Sequence, residues 1–219
     1  MSLKAVLFDM DGVIVDTEPL HRKAYFKTFK DLGIEVSEDL YTSFTGASTK
    51  SVCETLIKEF NLTQTFEEIA KCKRDYFKDY FYNDEEFDLI PGVKDLIQHY
   101  FDNGITLILA SSATMPTINM VFEKFELEKY FNGKISGADL KESKPHPEVF
   151  ELAAKLANEP VENCMVIEDS TNGILAAHRA HIFCAAYRSP HSINQDYTLA
   201  NIVVSDYEEL QLDKISKYF

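Results

Sequence analysis

The sequence is poor in the residues that break or loosen a chain. Among 219 residues there are 8 glycines and 7 prolines, and there is no tryptophan. Such a composition excludes collagen-like and low-complexity classes. By contrast, 45% of the residues are hydrophobic, and they include 16 phenylalanines and 11 tyrosines. The sequence therefore predicts a folded globular protein with a large core.

Positive charge is also scarce. Lysine and arginine total 22 against 36 acidic residues, which gives a formal net charge of −14. Phosphate backbones of nucleic acids are held by clustered lysine and arginine, so nucleic-acid binding is not expected. A small anionic substrate stays compatible with this balance, because a local cationic pocket can lie on an acidic body.

Neither a cysteine motif nor a long apolar run is present. The four cysteines show no zinc-ligand or redox spacing, and we expect reduced thiols at Cys53, Cys72, Cys164 and Cys184. No run approaches the roughly 20 apolar residues of a membrane span, and the first residues lack a cationic and apolar leader. We expect a cytoplasmic protein without a membrane partner, and a monomer, although an oligomer stays open.

Short apolar runs alternate with helical patterns along most of the chain. Five runs predict strands, at residues 3–8, 105–110, 164–167, 182–187 and 202–204. Between them, Ile118, Val121 and Phe122 share one helical face, and so do Val149 and Ala153. Strands that alternate with helices of this length predict an α/β fold with a parallel sheet covered by helices.

One region interrupts this alternation. Residues 17–87 contain only helical patterns, the first of which ends at Gly33, and Pro91 is expected to open the next helix of the sheet region. We therefore predict an α/β core formed by residues 1–16 and 88–219, with an all-helical domain inserted at residues 17–87.

Polar residues follow the predicted strands at the points where they end. Ligands bind at the carboxyl ends of parallel strands, so these positions predict a site. They are Asp9 and Asp11, Ser111 and Ser112, Glu168 and Asp169, together with Lys144, which precedes a proline and a helix.

The chemistry of this set is coherent. The carboxylates of Asp9, Asp11 and Asp169 are hard oxygen ligands of the kind that Mg²⁺ prefers. A serine hydroxyl at Ser111 and the fixed charge of Lys144 suit phosphate oxygens. Each residue alone has an ordinary explanation as a loop, cap or surface group. Their appearance together in this order, each after a strand or at the start of a helix, favours a phosphoryl-transfer site.

The stretches "FDMDGV", "ASS", "KPHPEVF" and "VIEDS" resemble the four ordered motifs of the haloacid dehalogenase-like superfamily. The resemblance spans essentially the whole chain and includes a helical cap after the first strand. "DGVIVDTEPLH" is similar to the β-phosphoglucomutase and sugar-phosphatase branch. The implied fold is a Rossmann-like core, and the implied partner is a small phosphorylated metabolite.

The resemblance also implies roles for the residues. Asp9 would be the nucleophile, and Asp11 the general acid and base. Mg²⁺ would contact Asp9, the Asp11 backbone carbonyl and Asp169, with Glu168 as a water-mediated or orienting ligand. Phosphate oxygens would be held by Ser111, Ser112 and Lys144, and Gly12 would let the backbone pass close to that group or serve only as a turn glycine.

In the inserted domain the resemblance points to four residues. His21 aligns with a mutase histidine that couples cap closure to acid and base positioning, or it is simply a histidine on the helix surface. Lys73 matches a mutase lysine more loosely, and a solvated lysine is the simpler expectation there. Thr17 stands at the hinge into the domain, and Lys50 is a candidate anchor for a distal phosphate.

The motifs leave the reaction partly open. A mutase holds a second phosphate with an arginine after a Gly-x-Ser step, and here Thr49 stands at that position in "TGASTKS". Lysine does not replace arginine in bidentate phosphate binding. We therefore favour a Mg²⁺-dependent phosphatase, with a mutase anchored by Lys50 or Arg74 as the alternative. A dehalogenase would lack Asp11, and a phospho-receiver module or an inactive scaffold is a weaker alternative.

Overall fold

The computed structural model describes residues 2–44, 49–189 and 194–219. The chain forms two compact units. The first comprises Met1–Asp16 and Asp88–Phe219, and the second comprises Thr17–Phe87. All four cysteines are free thiols, as the sequence predicts.

The first unit is built on a parallel six-stranded sheet, which confirms the predicted α/β fold. Its strands are β1 (Ala5–Phe8), β2 (Thr106–Ser111), β3 (Gly133–Ser136), β4 (Cys164–Glu168), β5 (Phe183–Tyr187) and β6 (Ile202–Val204). Their spatial order is β3-β2-β1-β4-β5-β6. The order reverses direction between β1 and β4, and such a switch point is where open α/β sheets bind ligands.

Alternating side chains of these strands pack against helices on both faces. The helices of this unit are α5 (Val93–Asp102), α6 (Met115–Lys124), α7 (Glu148–Leu156), α8 (Thr171–Arg179) and α9 (Leu212–Ile215). Ala5 and Leu7 of β1 share a buried cluster with Phe150 of α7 and Ile174 of α8. Phe8 points to the other face, where its ring lies 6.3 Å from that of Tyr100 in α5.

The second unit is helical in its described residues. Its helices are α1 (Glu18–Leu32), α2 (Glu38–Thr42), α3 (Thr49–Phe60) and α4 (Phe66–Asn83). Tyr25 and Phe29 of α1 pack with Val52 and Leu56 of α3. Gly33 ends α1 in the left-handed conformation, with φ of 69°, which the sequence predicts because glycine tolerates positive φ.

Three local expectations need correction or lie outside the described residues. Strand β3 was not predicted, because it is short and incompletely buried and carries Lys134 in place of an apolar run. Pro91 does not open a helix, since α5 begins at Val93 after Gly92, whose φ is 84°. The Gly-x-Ser step at residues 46–48 lies outside the described part of the chain.

No helix in the described ranges combines the length and the apolar character that crossing a bilayer would require.

Candidate active site

Three neighbouring strands deliver the predicted acidic and hydroxyl groups to one edge of the sheet. Asp9 follows the last residue of β1, and Ser111 and Glu168 are the last residues of β2 and β4. Phe8 is aligned with both Leu109 and Ile167. The Asp9 backbone N–H donates to the Ile167 carbonyl at 3.0 Å, which holds the start of the β1 loop against β4.

Lys144 reaches into this edge from a distant part of the sequence. Its ammonium group donates to Asp9 Oδ1 at 2.5 Å, to Glu168 Oε1 at 2.9 Å and to the Ala110 carbonyl at 3.0 Å. It also lies 4.7 Å from the centre of the Phe150 ring. With its side chain 5% exposed, Lys144 is a buried charge that is neutralised by two carboxylates. The structure thus brings Lys144, Asp9 and Glu168 into direct contact.

The charges at this edge are strongly perturbed. Burial raises the pKa of the Asp9 carboxyl well above its usual value; Lys144 lowers it, whereas the charges of Glu168 and Asp169 raise it further. Burial alone would lower the pKa of Lys144, but the carboxylates of Asp9 and Glu168 outweigh burial and hold that pKa above its usual value. Lys144 thus pairs with Asp9 and Glu168, and the charge of Asp169 acts on Asp9 as well.

A tight turn after β1 places Gly12 beside Asp169. The Gly12 N–H donates to the Val15 carbonyl at 2.7 Å, and the Ile14 N–H donates to the Met10 carbonyl at 2.7 Å. Gly12 has φ of +82°, and a Cβ atom there would lie 2.1 Å from Asp169 Oδ2. Glycine is therefore needed for two reasons, the left-handed backbone and the close approach of Asp169.

Tyr207, which no sequence pattern marks, stabilises the same turn. Its hydroxyl donates to the Val13 carbonyl at 2.5 Å, and its ring stacks on Tyr187 with centroids 4.3 Å apart. The contact joins residues 194 positions apart. No local sequence signal marks such a pair, because a tyrosine near the end of a chain is more often an ordinary core residue.

Glu168 is fully occupied by hydrogen bonds. Besides the contact of Oε1 with Lys144, Oε2 accepts from the backbone N–H groups of Asp169 and Ser170, both at 2.7 Å, and from Ser170 Oγ at 2.9 Å. The residue is 1% exposed. Of the two roles expected for Glu168, these bonds favour orienting Lys144 over contacting a metal.

The donor set of this edge fits a hard divalent cation. Asp9 and Asp169 offer carboxylate oxygens, the hard ligands that such a cation prefers. Across residues 2–44, 49–189 and 194–219, no three His, Cys, Asp or Glu side chains are grouped as a complete metal site. Two carboxylates, a backbone carbonyl and water suit Mg²⁺, which usually keeps several waters.

The two serines after β2 differ in their surroundings. Ser111 is 2% exposed, and its hydroxyl accepts from the Ala113 N–H at 3.1 Å, which leaves its own proton to be donated. Ser112 is exposed. Ser111 is thus the better placed of the two to donate to an anion at the end of β2.

In the second unit, the half-buried His21 of α1 and the buried Lys73 of α4 form a pair. The Lys73 ammonium lies 2.7 Å from His21 Nδ1, and the His21 ring stacks on Phe77 with centroids 4.3 Å apart. Lys73 is 6% exposed, so the expectation of a solvated lysine is wrong. Burial lowers the pKa of Lys73 to about 8. Burial and then the charge of Lys73 lower the pKa of His21 to about 3.

The other two residues singled out in this unit differ from that pair. Thr17 precedes α1 as its N-cap residue but makes no side-chain cap hydrogen bond. Lys50 is exposed at 67% of its side chain and lies 3.9 Å from Glu54, one helical turn along α3.

Known proteins are similar to the whole chain. The haloacid dehalogenase-like hydrolase family profile matches residues 6–187. A phosphorylated carbohydrates phosphatase of Thermotoga maritima is 32% identical over 197 residues, which cover 90% of this chain and 90% of that protein. Hexitol phosphatase B of Escherichia coli is 28% identical over 94% of this chain and 93% of its own length.

A solved structure agrees with these relatives. The crystal structure of a candidate β-phosphoglucomutase from Thermotoga maritima superposes with a TM-score of 0.85 at 30% identity, and the match covers 99% of this chain and 100% of that one. The family profile, the relatives and the solved structure therefore agree with one another. The chain belongs to the haloacid dehalogenase-like hydrolase family, in its β-phosphoglucomutase-like and sugar-phosphatase-like branch.

Proposed function

We propose that this protein is a Mg²⁺-dependent phosphatase that hydrolyses a small phosphate monoester of a carbohydrate through an aspartyl-phosphate on Asp9. The observation that carries the proposal is the contact of Lys144 with Asp9 at the switch point of the sheet, beside Asp169 and Ser111. The names of the phosphatase relatives support the carbohydrate ester as the substrate class.

Asp9 is the proposed nucleophile. A carboxylate that attacks phosphorus divides a difficult hydrolysis into two easier steps, formation and breakdown of an acyl phosphate. The nucleophile must be ionised. Burial opposes this, and the ammonium group of Lys144 favours it. Lys144 therefore supports the reactive form of Asp9 as well as facing the phosphoryl oxygens.

Asp11 is the proposed general acid and base. It lies two residues beyond Asp9 in the turn closed by Gly12 and Val15, so one short segment carries both groups. A carboxyl at this position can protonate the leaving oxygen of the alcohol and later accept a proton from the attacking water. Two adjacent carboxylates with different roles are a recurrent acid and base pattern.

Lys144 and Ser111 are the proposed phosphoryl ligands. Negative charge spreads over the phosphoryl oxygens in the transition state, and fixed positive or hydrogen-bonding groups stabilise it most. Glu168 and the Ala110 carbonyl hold the Lys144 ammonium in place, and its third N–H, which donates to Asp9 here, is the one proposed to turn to a phosphoryl oxygen. Ser111 is preorganised by the Ala113 N–H. Ser112 is the weaker candidate, because it is exposed.

Mg²⁺ would be held by Asp9, the Asp11 carbonyl and Asp169, and when bound it would neutralise negative charge on the phosphoryl group. The chain's own contribution is the positioning of these oxygens, which depends on the missing Cβ atom of Gly12. Glu168 is assigned to Lys144 and not to the metal, because its two oxygens already accept four hydrogen bonds.

We propose the second unit, residues 17–87, as the cap that selects the substrate, with the first unit as the catalytic core. Within it, the His21–Lys73 pair is the proposed contact for polar groups of the sugar, because both side chains are preorganised by aromatic neighbours. Thr17 and Lys50 are weaker candidates. Lys50 is paired with Glu54 on an exposed face.

The test is release of inorganic phosphate from p-nitrophenyl phosphate and from a panel of sugar phosphates, nucleotides and pyrophosphate, with and without Mg²⁺. We expect Asp9→Asn to lower the rate by more than about 1,000-fold, because the nucleophile is removed. The matched control is Asp139→Asn, at an exposed aspartate, which should retain the wild-type rate. Phosphate release by Asp9→Asn at the control rate would refute the nucleophile.

A phosphosugar mutase is the second candidate, supported by the β-phosphoglucomutase-like structure. Against it, Thr49 stands where a mutase has arginine. Assaying β-glucose 1-phosphate for both products separates the two reactions. Isomerisation that clearly outruns phosphate release would replace the phosphatase by the mutase.

A further inference from the structure

Helix α8 (Thr171–Arg179) contains a glycine that its backbone conformation does not require. Gly173 is the third residue of the helix, and its φ is not positive. Glycine is less favourable than alanine inside a helix, because it loses more backbone freedom on folding. Its presence therefore points to a steric requirement in the surroundings.

The surroundings of Gly173 supply that requirement. A Cβ atom built on Gly173 would lie 1.6 Å from Glu168 Oε1 and 1.8 Å from Glu168 Cδ. No pair of unbonded heavy atoms tolerates such distances. The carboxylate of Glu168 thus occupies the space in which an alanine methyl group would lie.

Glu168 is not free to move aside. Oε2 is bound by the Asp169 and Ser170 N–H groups and by Ser170 Oγ, and Oε1 is bound by the Lys144 ammonium. The Gly173 N–H in turn donates to Ser170 Oγ at 3.1 Å. A displaced carboxylate would leave buried donors without partners, which is unfavourable.

We propose that Gly173 is a positioning residue of the active site: its missing side chain forms the seat of the Glu168 carboxylate, which holds the Lys144 ammonium against Asp9. The chain of contacts runs from Gly173 to Glu168, then to Lys144 and then to Asp9 Oδ1. The catalytic consequence rests on the proposed function, whereas the steric coupling of Gly173 to Glu168 does not.

The experiment is a double-mutant cycle of Gly173→Ala with Glu168→Asp. Alone, Gly173→Ala should lower kcat/KM by about 100-fold, as expected when a catalytic group is displaced by ~1 Å. Glu168→Asp shortens the side chain and vacates the seat. In the Glu168→Asp background the alanine should therefore cost no more than about threefold, which is a strong departure from additivity.

The unfolding temperature gives a second reading of the same coupling that needs no activity. In the wild-type background Gly173→Ala should lower it, because the methyl group collides with Glu168. In a Glu168→Ala background the same change should raise it, because only the helix preference for alanine then acts. If Gly173→Ala alone does not fold but Gly173→Ala with Glu168→Ala does, this result would also support the steric role of Gly173.

Gly133→Ala is the matched control. A Cβ atom on Gly133 would lie 2.4 Å from Leu156 Cδ2, so it also collides, but with the apolar side chain of an exposed residue of α7. We expect a changed unfolding temperature and an unchanged kcat/KM.

Two results would overturn the inference. One is an equal cost of Gly173→Ala in activity in the wild-type and Glu168→Asp backgrounds, or in unfolding temperature in the wild-type and Glu168→Ala backgrounds. The other is failure of Gly173→Ala to fold in the wild-type and in both Glu168 backgrounds, because the glycine would then be needed for something other than Glu168. If the wild-type protein released no phosphate from any ester, the proposed function would fail, and the temperature measurements would still decide the role of Gly173.

Discussion

Lys144 contacts two buried carboxylates and a backbone carbonyl at the same time. Removing one partner of a buried ion pair is far more costly than forming the pair is favourable, because a charge is left uncompensated. Lys144 is shared by Asp9 and Glu168, so its loss affects both. The residue that carries the proposed catalysis is therefore also a determinant of stability.

We expect Lys144→Ala to lower the free energy of unfolding by roughly 3 kcal/mol in metal-free buffer and to remove phosphate release. Urea unfolding and the phosphate assay are the measurements. Lys141→Ala, three residues earlier at an exposed lysine, is the control and should change stability by less than about 0.5 kcal/mol. Equal stability of the two variants would show that Lys144 is not the counter-ion of the buried carboxylates.

His21 predicts a pH dependence. Its pKa is about 3 in the folded protein, against about 6.5 in an unfolded chain, because burial and Lys73 disfavour the imidazolium. Below pH 6.5 the unfolded chain binds a proton that the folded chain does not, so stability falls as the pH falls. Lys73 strengthens this effect, because its ammonium already occupies Nδ1.

Between pH 7 and pH 5, the wild-type protein should lose up to ~2 kcal/mol more stability than His21→Gln does. Urea unfolding at both pH values measures the difference. The exposed His178, replaced by glutamine in the same way, is the control, and that variant should keep the wild-type pH dependence. An unchanged dependence in His21→Gln would contradict the burial of a neutral imidazole.

At the scale of elements, the start of α8 joins stability to the site. Ser170 is the N-cap of α8, and its hydroxyl accepts from the Gly173 N–H and donates to Glu168 Oε2. One side chain thus closes the helix and orients the carboxylate that holds Lys144. The N-terminus of a helix is well suited to this, because its free N–H groups favour negative charge.

Ser170→Ala should lower the free energy of unfolding by about 2 kcal/mol, the sum of a lost cap and a lost hydrogen bond to a carboxylate. It should also lower kcat/KM by about 10-fold, as losses of supporting hydrogen bonds commonly do. The control is Ser37→Ala, which removes the cap of α2, where Ser37 Oγ accepts from the Leu40 N–H at 3.2 Å. That variant should lose stability but keep kcat/KM, and a similar loss of activity in both would refute the link to Glu168.

At the scale of the whole molecule, charge makes the proposed site depend on a cation. The chain carries a net charge of −14, and its substrate is proposed to be an anion. Long-range attraction therefore does not favour substrate binding, and local charges at the end of β1 must do so. Lys144 is already paired with Asp9 and Glu168, and the proposed Mg²⁺ would supply further positive charge.

Mg²⁺ should stabilise the folded protein, since its proposed ligands follow β1 and β4 and are assembled only in the fold. At about 100 times the dissociation constant the gain is ~2.7 kcal/mol. For a chain of this size that is roughly 5–10 °C in unfolding temperature. Thermal unfolding with Mg²⁺ and with a chelator measures it. Asp169→Asn should weaken the shift and Asp139→Asn should retain it; a full shift in both would exclude Asp169 as a ligand.

Much of the fold follows from local patterns. The buried strands β1, β2, β4 and β5 were predicted to within two residues, because parallel strands covered on both faces are continuous apolar runs. Strand β3 carries no such run, because it is an outermost strand of the sheet. Helix α2 likewise buries none of its residues. Elements without a buried face leave no hydrophobic period in the sequence.

The sequence by itself determined which strands end in Asp9, Ser111 and Glu168, because apolar runs and the polar residues that stop them are local features. Only the tertiary structure decided which charges meet. Lys144 is 135 positions from Asp9, and the burial of Lys73 depends on the packing of α4 against α1. A contact between distant segments is set by the assembly of the sheet and the packing of the helices on it. Both depend on the whole chain at once.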